Sequence, residues 1–489
     1  MKIIKERIVL VVISILILTN CCACNSKSKD KKDKNEETKT TAEFQSMETK
    51  RGDEIESIQE YVEGNELKFI NENADYYNDS LEVNKFYVYG THFNFEGSIG
   101  IKKLGSNSVE SASLCLIDIS KSDKDISSKV AGAIKINFEN KGKKVNFNAS
   151  SVINKGLFLE NVKQGTYALY VVVKDSKGKN IFLPLENKTK EKDIKYYTVT
   201  NLKDQSNREI NIYTPNEVEE QKNSKFMFLN CYKKELPEDV YDIVIDPGHG
   251  GSDVGAIHGS YYEKDLSLEI AKMVYENLKN QGYKVLITRD GSESNDDYSV
   301  YTSYEDNGRV TLACASRAKY ALSIHLNSSE ADMSKGGVQI YCSSKADTSM
   351  ARYLADSVVK DANTYTSNLG GSFMREDGVY SHSFGATELA EIRSIAAQYG
   401  FAPYDVKRGD DYLYMLRELG GISTNAYTDG RHPQYGKNKW VKANYGIECC
   451  LCELAYMSVE EDFNHFMKNK DKYAKGLCNG LIKAIENNK

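Results

Sequence analysis

The sequence predicts an α/β domain, a mixed sheet with helices on both faces, preceded by an all-β sandwich. Two observations carry this reading. From about residue 65 to 213 the apolar pattern has period two, with several short strands and no helical pattern between them. From Val240 onward short apolar runs alternate with stretches of helical period, as in a sheet packed between helices. A third observation sets the bounds. The 489 residues allow two or three domains, and a formal net charge of -6 argues against a nucleic-acid binder.

The chain opens with a segment that belongs to neither domain. Lys2, Lys5 and Arg7 form a basic region, and Ile8–Leu18 is apolar except for Ser14. That run has the length of a secretory signal and is short for a membrane span. Leu18-Thr19-Asn20-Cys21-Cys22-Ala23-Cys24 resembles a bacterial lipoprotein cleavage site. Cys21 has the leucine three residues before it and Cys24 has a small residue before it, so either is a candidate for acylation. A signal peptide over 1–24 is expected, with the rest of the chain outside the cytoplasm, anchored to the membrane by lipid and facing the cell wall. Residues 25–60, beginning NSKSKDKKDKNEETKTT, start with no large apolar side chain and are expected as a disordered charged tether.

The all-β domain is expected over 61–214. Lys85–Phe95, Leu114–Ile119, Ile134–Phe138, Leu157–Val162, Tyr167–Val173 and Ile210–Tyr213 read as strands, and Asp175–Lys179 reads as a tight turn. The pattern resembles an immunoglobulin-like module. His92 is its only histidine, and a lone histidine is ordinarily packed or solvated. A protein or wall partner for this domain is open. Residues 215–238, with Pro215–Lys225 as PNEVEEQKNSK, are expected as a charged linker.

Residues 239–489 form the second expected domain. Ile243–Ile245 is a strand. Leu266–Leu278 is a helix with Leu266, Ile270, Met273, Val274 and Leu278 on one face, ended by Gly282. Strands follow at Lys284–Thr288, Ala321–His325 and Val338–Tyr341, with helices at Arg309–Lys319 and Ala351–Lys360. Tyr445–Leu454 is a late apolar strand, and Glu460–Asn487 closes the chain with helices. Eight cysteines lie beyond the N-terminal segment without regular spacing and mostly within apolar runs, so they read as small buried hydrophobes. In Cys449-Cys450-Leu451-Cys452 the adjacent thiols fall on opposite faces of a strand, which argues against a metal cluster.

The chemistry is concentrated at strand ends. Asp246-Pro247-Gly248-His249-Gly250-Gly251 lifts a histidine from the carboxyl end of one strand, where open α/β sheets hold their ligands. Ser323-Ile324-His325-Leu326-Asn327 ends another strand in a histidine, and Glu453 stands near the end of the late apolar strand. Glu263 begins a helix. Two histidines and a carboxylate are a common zinc set with a fourth position for water. A second carboxylate beside that water is what amide hydrolysis needs to move the proton. Singly, each residue has a plainer reading: His249 in a solvated loop, His325 capping a strand, Glu263 favoured by a helix dipole.

Taken in order, Asp246–Gly251 with Glu263-Lys264-Asp265, Thr288-Arg289, Ser323–Asn327 and Glu453–Ser458 resemble the zinc-dependent N-acetylmuramoyl-L-alanine amidases of bacterial cell walls. The resemblance covers about half the chain, from Val240 to the C-terminus. It implies one Zn2+ bound by His249, Glu263 and His325, with Glu453 catalytic. It also implies a peptidoglycan substrate, cut between the lactyl group of N-acetylmuramic acid and L-alanine. Asp246 and Asn327 are candidate supports for the ligating histidines.

Departures from the compact family pattern are the long stretches Asn363–Val406 and Gly420–Tyr445. The first carries a helix at Glu388–Gln398. The second is aromatic and glycine-rich, and its Trp440 is a candidate for stacking on sugar or closing over the site. Ala455-Tyr456 stands where the family has Gly-Phe. His258, His382, His432 and His465 match no motif and read as surface residues. Two other functions stay open on sequence alone: a non-catalytic wall-binding lipoprotein, and a zinc peptidase acting on a stem-peptide bond.

Overall fold

A computed structural model describes residues 79–104, 109–123, 125–190, 193–199, 207–215, 225–294, 308–329, 335–369, 373–399, 407–420 and 445–488. The expected signal peptide and tether, Cys21, Cys24, His432, Trp440 and most of the 420–445 stretch lie outside these residues. No helix among the described residues is long and apolar enough to cross a membrane.

The described residues between 81 and 233 form an all-β unit. The strands are β1 (Leu81–Tyr89), β2 (His92–Gly100), β3 (Val109–Asp118), β4 (Val130–Lys135), β5 (Asn137–Lys141) and β6 (Lys144–Asn148). They continue as β7 (Leu157–Phe158), β8 (Gly165–Asp175), β9 (Asn180–Asn187), β10 (Asp193–Tyr197), β11 (Arg208–Tyr213) and β12 (Phe228–Lys233). In one sheet β8 pairs with β3 along one edge and with β9 and β12 along the other. A second sheet runs β1-β2-β6-β5. β9 joins the two, antiparallel to β8 and parallel to β1. Their apolar faces meet in one core, with Leu81, Val83, Phe93 and Phe95 opposite Leu114, Leu169, Val171 and Ile212.

Four sequence expectations change here. Lys85–Phe95 is two strands, because Gly90 takes φ 57 in a two-residue hairpin with Thr91. Ile134–Phe138 is broken at Ile136 between β4 and β5. Of Leu157–Val162 only two residues are strand, and Leu159–Asn161 form a 3-10 turn. The 215–238 linker contains β12, which pairs with β8 and β11, so the all-β unit runs on to Lys233.

The α/β region follows as β13 (Ile243–Pro247), β14 (Ile257–His258), β15 (Tyr261–Tyr262), α1 (Glu263–Asn280), β16 (Val285–Ile287) and α2 (Arg309–Ala315). Then come β17 (Tyr320–Asn327), β18 (Gln339–Cys342), α3 (Ser349–Ala362), β19 (Met374–Glu376), β20 (Val379–Tyr380) and α4 (Ala386–Tyr399). The last elements are α5 (Tyr414–Gly420), β21 (Tyr445–Gly446), β22 (Glu448–Tyr456), α6 (Glu460–Lys468) and α7 (Lys470–Asn487). The sheet order is β16-β13-β17-β22-β18-β20-β19, with β16, β13, β17 and β22 parallel and β18 antiparallel to β22. It is the expected mixed sheet with helices on both faces. Ile243, Ile245, Leu322, Ile324, Cys450 and Cys452 pack toward α1, α3 and α7. Val244, Ala321, Cys449 and Leu451 pack toward α2 and α5. The thiols of β22 therefore alternate between faces, buried and free, as the strand period requires. The Arg309–Lys319 helix is shorter than expected, since Arg317 adopts a left-handed φ of 51 and turns the chain into β17.

Candidate metal centre

The parallel register decides which side chains meet. Ile243–Pro247 pairs with Tyr320–Ile324, and Tyr320–His325 pairs with Glu448–Glu453, so His325 and Glu453 stand opposite each other near the carboxyl ends of adjacent strands. His249 follows β13 at the same rim. Its φ of 58 is costly for a residue with a Cβ and turns the imidazole toward the sheet. Glu263 is the first residue of α1 and is buried.

The ligand atoms of His249, Glu263 and His325 all lie within 4.8 Å of one another. Glu263 Oε1 is 3.0 Å from His249 Nε2 and 3.1 Å from His325 Nδ1. The same oxygen accepts from Leu326 N at 3.0 Å, and Oε2 accepts from Ala256 N at 2.9 Å. The imidazoles meet edge to face, with centroids 4.9 Å apart. Glycine is required on two sides of this cluster. A Cβ on Gly248 would lie 2.3 Å from His325 Cε1. One on Gly255, at φ 67, would lie 2.6 Å from Glu263 Oε2.

His249 Nδ1 donates to Asp253 Oδ2 at 2.8 Å. With Nδ1 committed to Asp253, Nε2 is the ring atom that faces Glu263. Two imidazole nitrogens and a carboxylate around one point are the donor set of a Zn2+ ion, and the arrangement fits one. Electrostatics agree. Burial disfavours the His249 imidazolium, but Glu263 and Asp253 outweigh it and raise the ring to about 10. Burial likewise opposes the Glu263 carboxylate, and the two imidazoles hold it well below the usual range. Burial pushes His325 down.

Glu453 is different. Its Oε2 is buried and has no hydrogen-bond partner among the described residues. Burial, and then the Glu263 carboxylate, push its carboxyl group well above the ordinary range. It is a carboxylate beside the cluster with an oxygen left for another molecule.

The expected supports behave otherwise than the sequence suggested. Asp246 accepts from Thr288 Oγ1 at 2.6 Å, Ser323 Oγ at 2.7 Å and Arg309, so it ties β13, β17 and α2 together. Asn327 donates to Gln339 Oε1 at 2.9 Å, on the strand opposite Glu453. The carboxylate bonded to a ring of the cluster is instead that of Asp253, four residues after His249 in the same glycine turn. Arg289 donates to the carbonyls of Pro247 at 3.1 Å and Gly248 at 2.8 Å, and Arg309 donates to those of Pro247 and His249. These two guanidiniums pin the turn that carries the histidine. His382 is not a surface residue, since it stacks on Tyr412 at 4.1 Å and packs on Phe373 at 4.0 Å. His92 is buried against Phe158, and burial lowers it to about 3.

Residues 243–408 match the N-acetylmuramoyl-L-alanine amidase family. The match takes in His249, Glu263 and His325 and ends before Glu453. The chain is 30% identical over 172 residues to the uncharacterized protein YqiI of Bacillus subtilis, covering 75% of that protein and 35% of its own length. The chain belongs to the amidase family. It is 34% identical over 130 residues to the germination-specific N-acetylmuramoyl-L-alanine amidase of Bacillus subtilis. There it spans 55% of the relative and 25% of itself. With the N-acetylmuramoyl-L-alanine amidase LytC of the same organism it shares 31% identity over 159 residues, 32% of this chain and 29% of that one. Among solved structures, AmiC2 of Nostoc punctiforme aligns over 51% of this chain and 99% of its own at 20% identity, with a TM-score of 0.33.

Proposed function

We propose that the chain is a peptidoglycan hydrolase that cuts the amide between N-acetylmuramic acid and L-alanine. The observation that carries this is the His249–Glu263–His325 cluster beside a Glu453 oxygen that has no partner among the described residues, in a chain of the amidase family. His249, Glu263 and His325 are the residues that would hold Zn2+, which supplies Lewis-acid activation of the water and of the scissile carbonyl. Glu453 takes the proton from the attacking water and returns it to the departing alanine nitrogen. Its raised affinity for a proton suits both halves of that transfer. Asp253 keeps the Nδ1 proton on His249 so that Nε2 presents its lone pair. Arg289 and Arg309 hold the turn in register.

The same reading gives the rest of the chain its place. Residues 1–24 act as a lipoprotein signal with Cys21 or Cys24 acylated, and 25–60 form the tether. An immunoglobulin-like sandwich extends through Lys233, and the catalytic unit starts at residue 239. Labelling with a fatty acid in single Cys21→Ser and Cys24→Ser chains identifies the acylated position; label retained by the double variant would place the acyl group on neither residue, and an unlabelled wild type would remove the anchor.

The activity is tested on the full mature chain with purified peptidoglycan, by analysing the released products. Wild type should release stem peptides with a free L-alanine amine. Glu453→Gln should keep stoichiometric zinc and lose about 100- to 10,000-fold in rate, the range for a general acid–base group. Cleavage within the stem peptide would replace the amidase by a peptidase. Unchanged turnover in Glu453→Gln would remove Glu453 from the chemistry.

A further inference from the structure

At the end of the α/β sheet opposite the metal centre, the strands run directly into the all-β unit. β21 adds in parallel to β1, with Val88 opposite Tyr445 and Tyr89 opposite Gly446. Gly90 N donates to Gly446 O at 2.8 Å. After one intervening residue, Ile447, β22 begins at Glu448, which is 3% exposed. Its carboxylate accepts from Asn154 Nδ2 at 2.9 Å and from Asn488 Nδ2 at 3.3 Å. Asn154 belongs to the all-β unit and is fully buried. It also donates to Asp347 Oδ1 at 2.8 Å and accepts from Asp347 N at 2.7 Å. Asn488, at the end of the chain, reaches Thr91 Oγ1 at 3.4 Å and Tyr320 Oη at 3.3 Å.

A second set of contacts lies at the start of β17. Lys319 is fully buried, with Nζ 5.4 Å from the centroid of the Tyr196 ring in β10. Arg317 lies 5.8 Å from the Tyr197 ring. Val199, just past β10, packs into the main core of the α/β unit. Tyr87, Tyr89 and Ile153 form an apolar cluster with Ala346. Buried polar groups and a buried ammonium are stable only with fixed partners, because an unpaired buried group costs more than its bond returns. Such a joint is made once and held.

We infer that the all-β unit is a fixed brace for the strand that carries Glu453, with Asn154 and the β1 edge as its positioning elements, rather than an arm that swings on a connector. β22 is held at Glu448 by the brace. Glu453 stands five residues further along the same strand, about 17 Å at the rise of an extended chain. A shift or tilt of the strand at Glu448 is passed to Glu453 through one continuous, doubly paired element. Ile447 N also donates to Leu419 O at 2.9 Å, so the end of α5 is tied to the chain between β21 and β22 beside the brace.

The test uses the full mature chain with a protease site introduced between Glu235 and Asp239 and then cut. The two halves should co-elute in gel filtration at low micromolar concentration, and separate elution would overturn the brace. Asn154→Ala, with hydrogen exchange read in the uncut chain, gives the second arm. Amide protection across Ile447–Tyr456 should fall at least tenfold while that of α3 and α7 is unchanged. Protection unchanged in β22, or lowered evenly through the whole α/β unit, would overturn the positioning role. Both readouts are independent of whether Glu453 is the catalytic base, so failure here and failure of the amidase reading are separate results.

Discussion

At the scale of single residues, the site is built by giving each group one remaining direction. Glu263 spends Oε2 on Ala256 N and shares Oε1 among Leu326 N and two imidazoles. His249 has one nitrogen committed to Asp253 and one facing the cluster. Glu453 keeps one oxygen without a hydrogen-bond partner among the described residues. The residue types were readable from sequence, because two histidines and two glutamates at strand and helix ends have few other reasons to gather. Asp253 was not, because its role depends on the turn curling back through four residues, and an aspartate among glycines also reads as turn chemistry. Asp253→Asn should weaken zinc binding about 10- to 100-fold, measured by chelator competition, the usual cost of losing a carboxylate behind a ligating histidine. Its far-ultraviolet circular dichroism should stay that of wild type. Unaltered zinc affinity would reduce Asp253 to a turn former.

At the scale of elements, the central α/β order was legible because strands such as β13 and β17 are short apolar runs and helices such as α1 show their stripe, while β14, β15, β19, β20 and α5 are too short to show either period. The all-β unit was less so. Gly90-Thr91 looks like strand until Gly90 is seen at φ 57, and β12 was hidden because charge on either side of Phe228–Lys233 resembles a linker. Gly248 shows how tightly the elements close. The position joins β13 to the histidine turn and lies flat against the His325 ring, so a methyl group there has nowhere to go. Gly248→Ala should displace that ring. The expected outcome is at least tenfold weaker zinc binding with a stability loss of about 1–3 kcal/mol, as for an added carbon in a packed site. Chelator competition and urea unfolding separate the two effects. Wild-type affinity would mean that the backbone moves instead of the imidazole.

At the scale of the whole molecule, the joint between the units was invisible in the sequence, since Asn154 and Glu448 are 294 residues apart and neither belongs to a motif. Its energetics have a readable consequence. Burial is the main cause that raises Glu448 to about 7, with Asp347 adding to it and the hydrogen bonds from Asn154 and Asn488 opposing it. Burial also raises Glu160, in the all-β unit, to about 7. A carboxyl group whose folded value lies above its unfolded value binds its proton more tightly when folded. Its contribution is therefore complete below the unfolded value near 4.5 and is lost as the pH rises to about 7. Stability of the metal-free chain should fall across this window, by up to about 3 kcal/mol for each group as an order of magnitude. Glu448→Gln removes one of the raised carboxyl titrations, so its urea-unfolding midpoint should vary less between pH 5 and 7 than that of wild type. Parallel pH profiles for the two proteins would mean that Glu448 is charged in the folded joint, held there by Asn154 and Asn488.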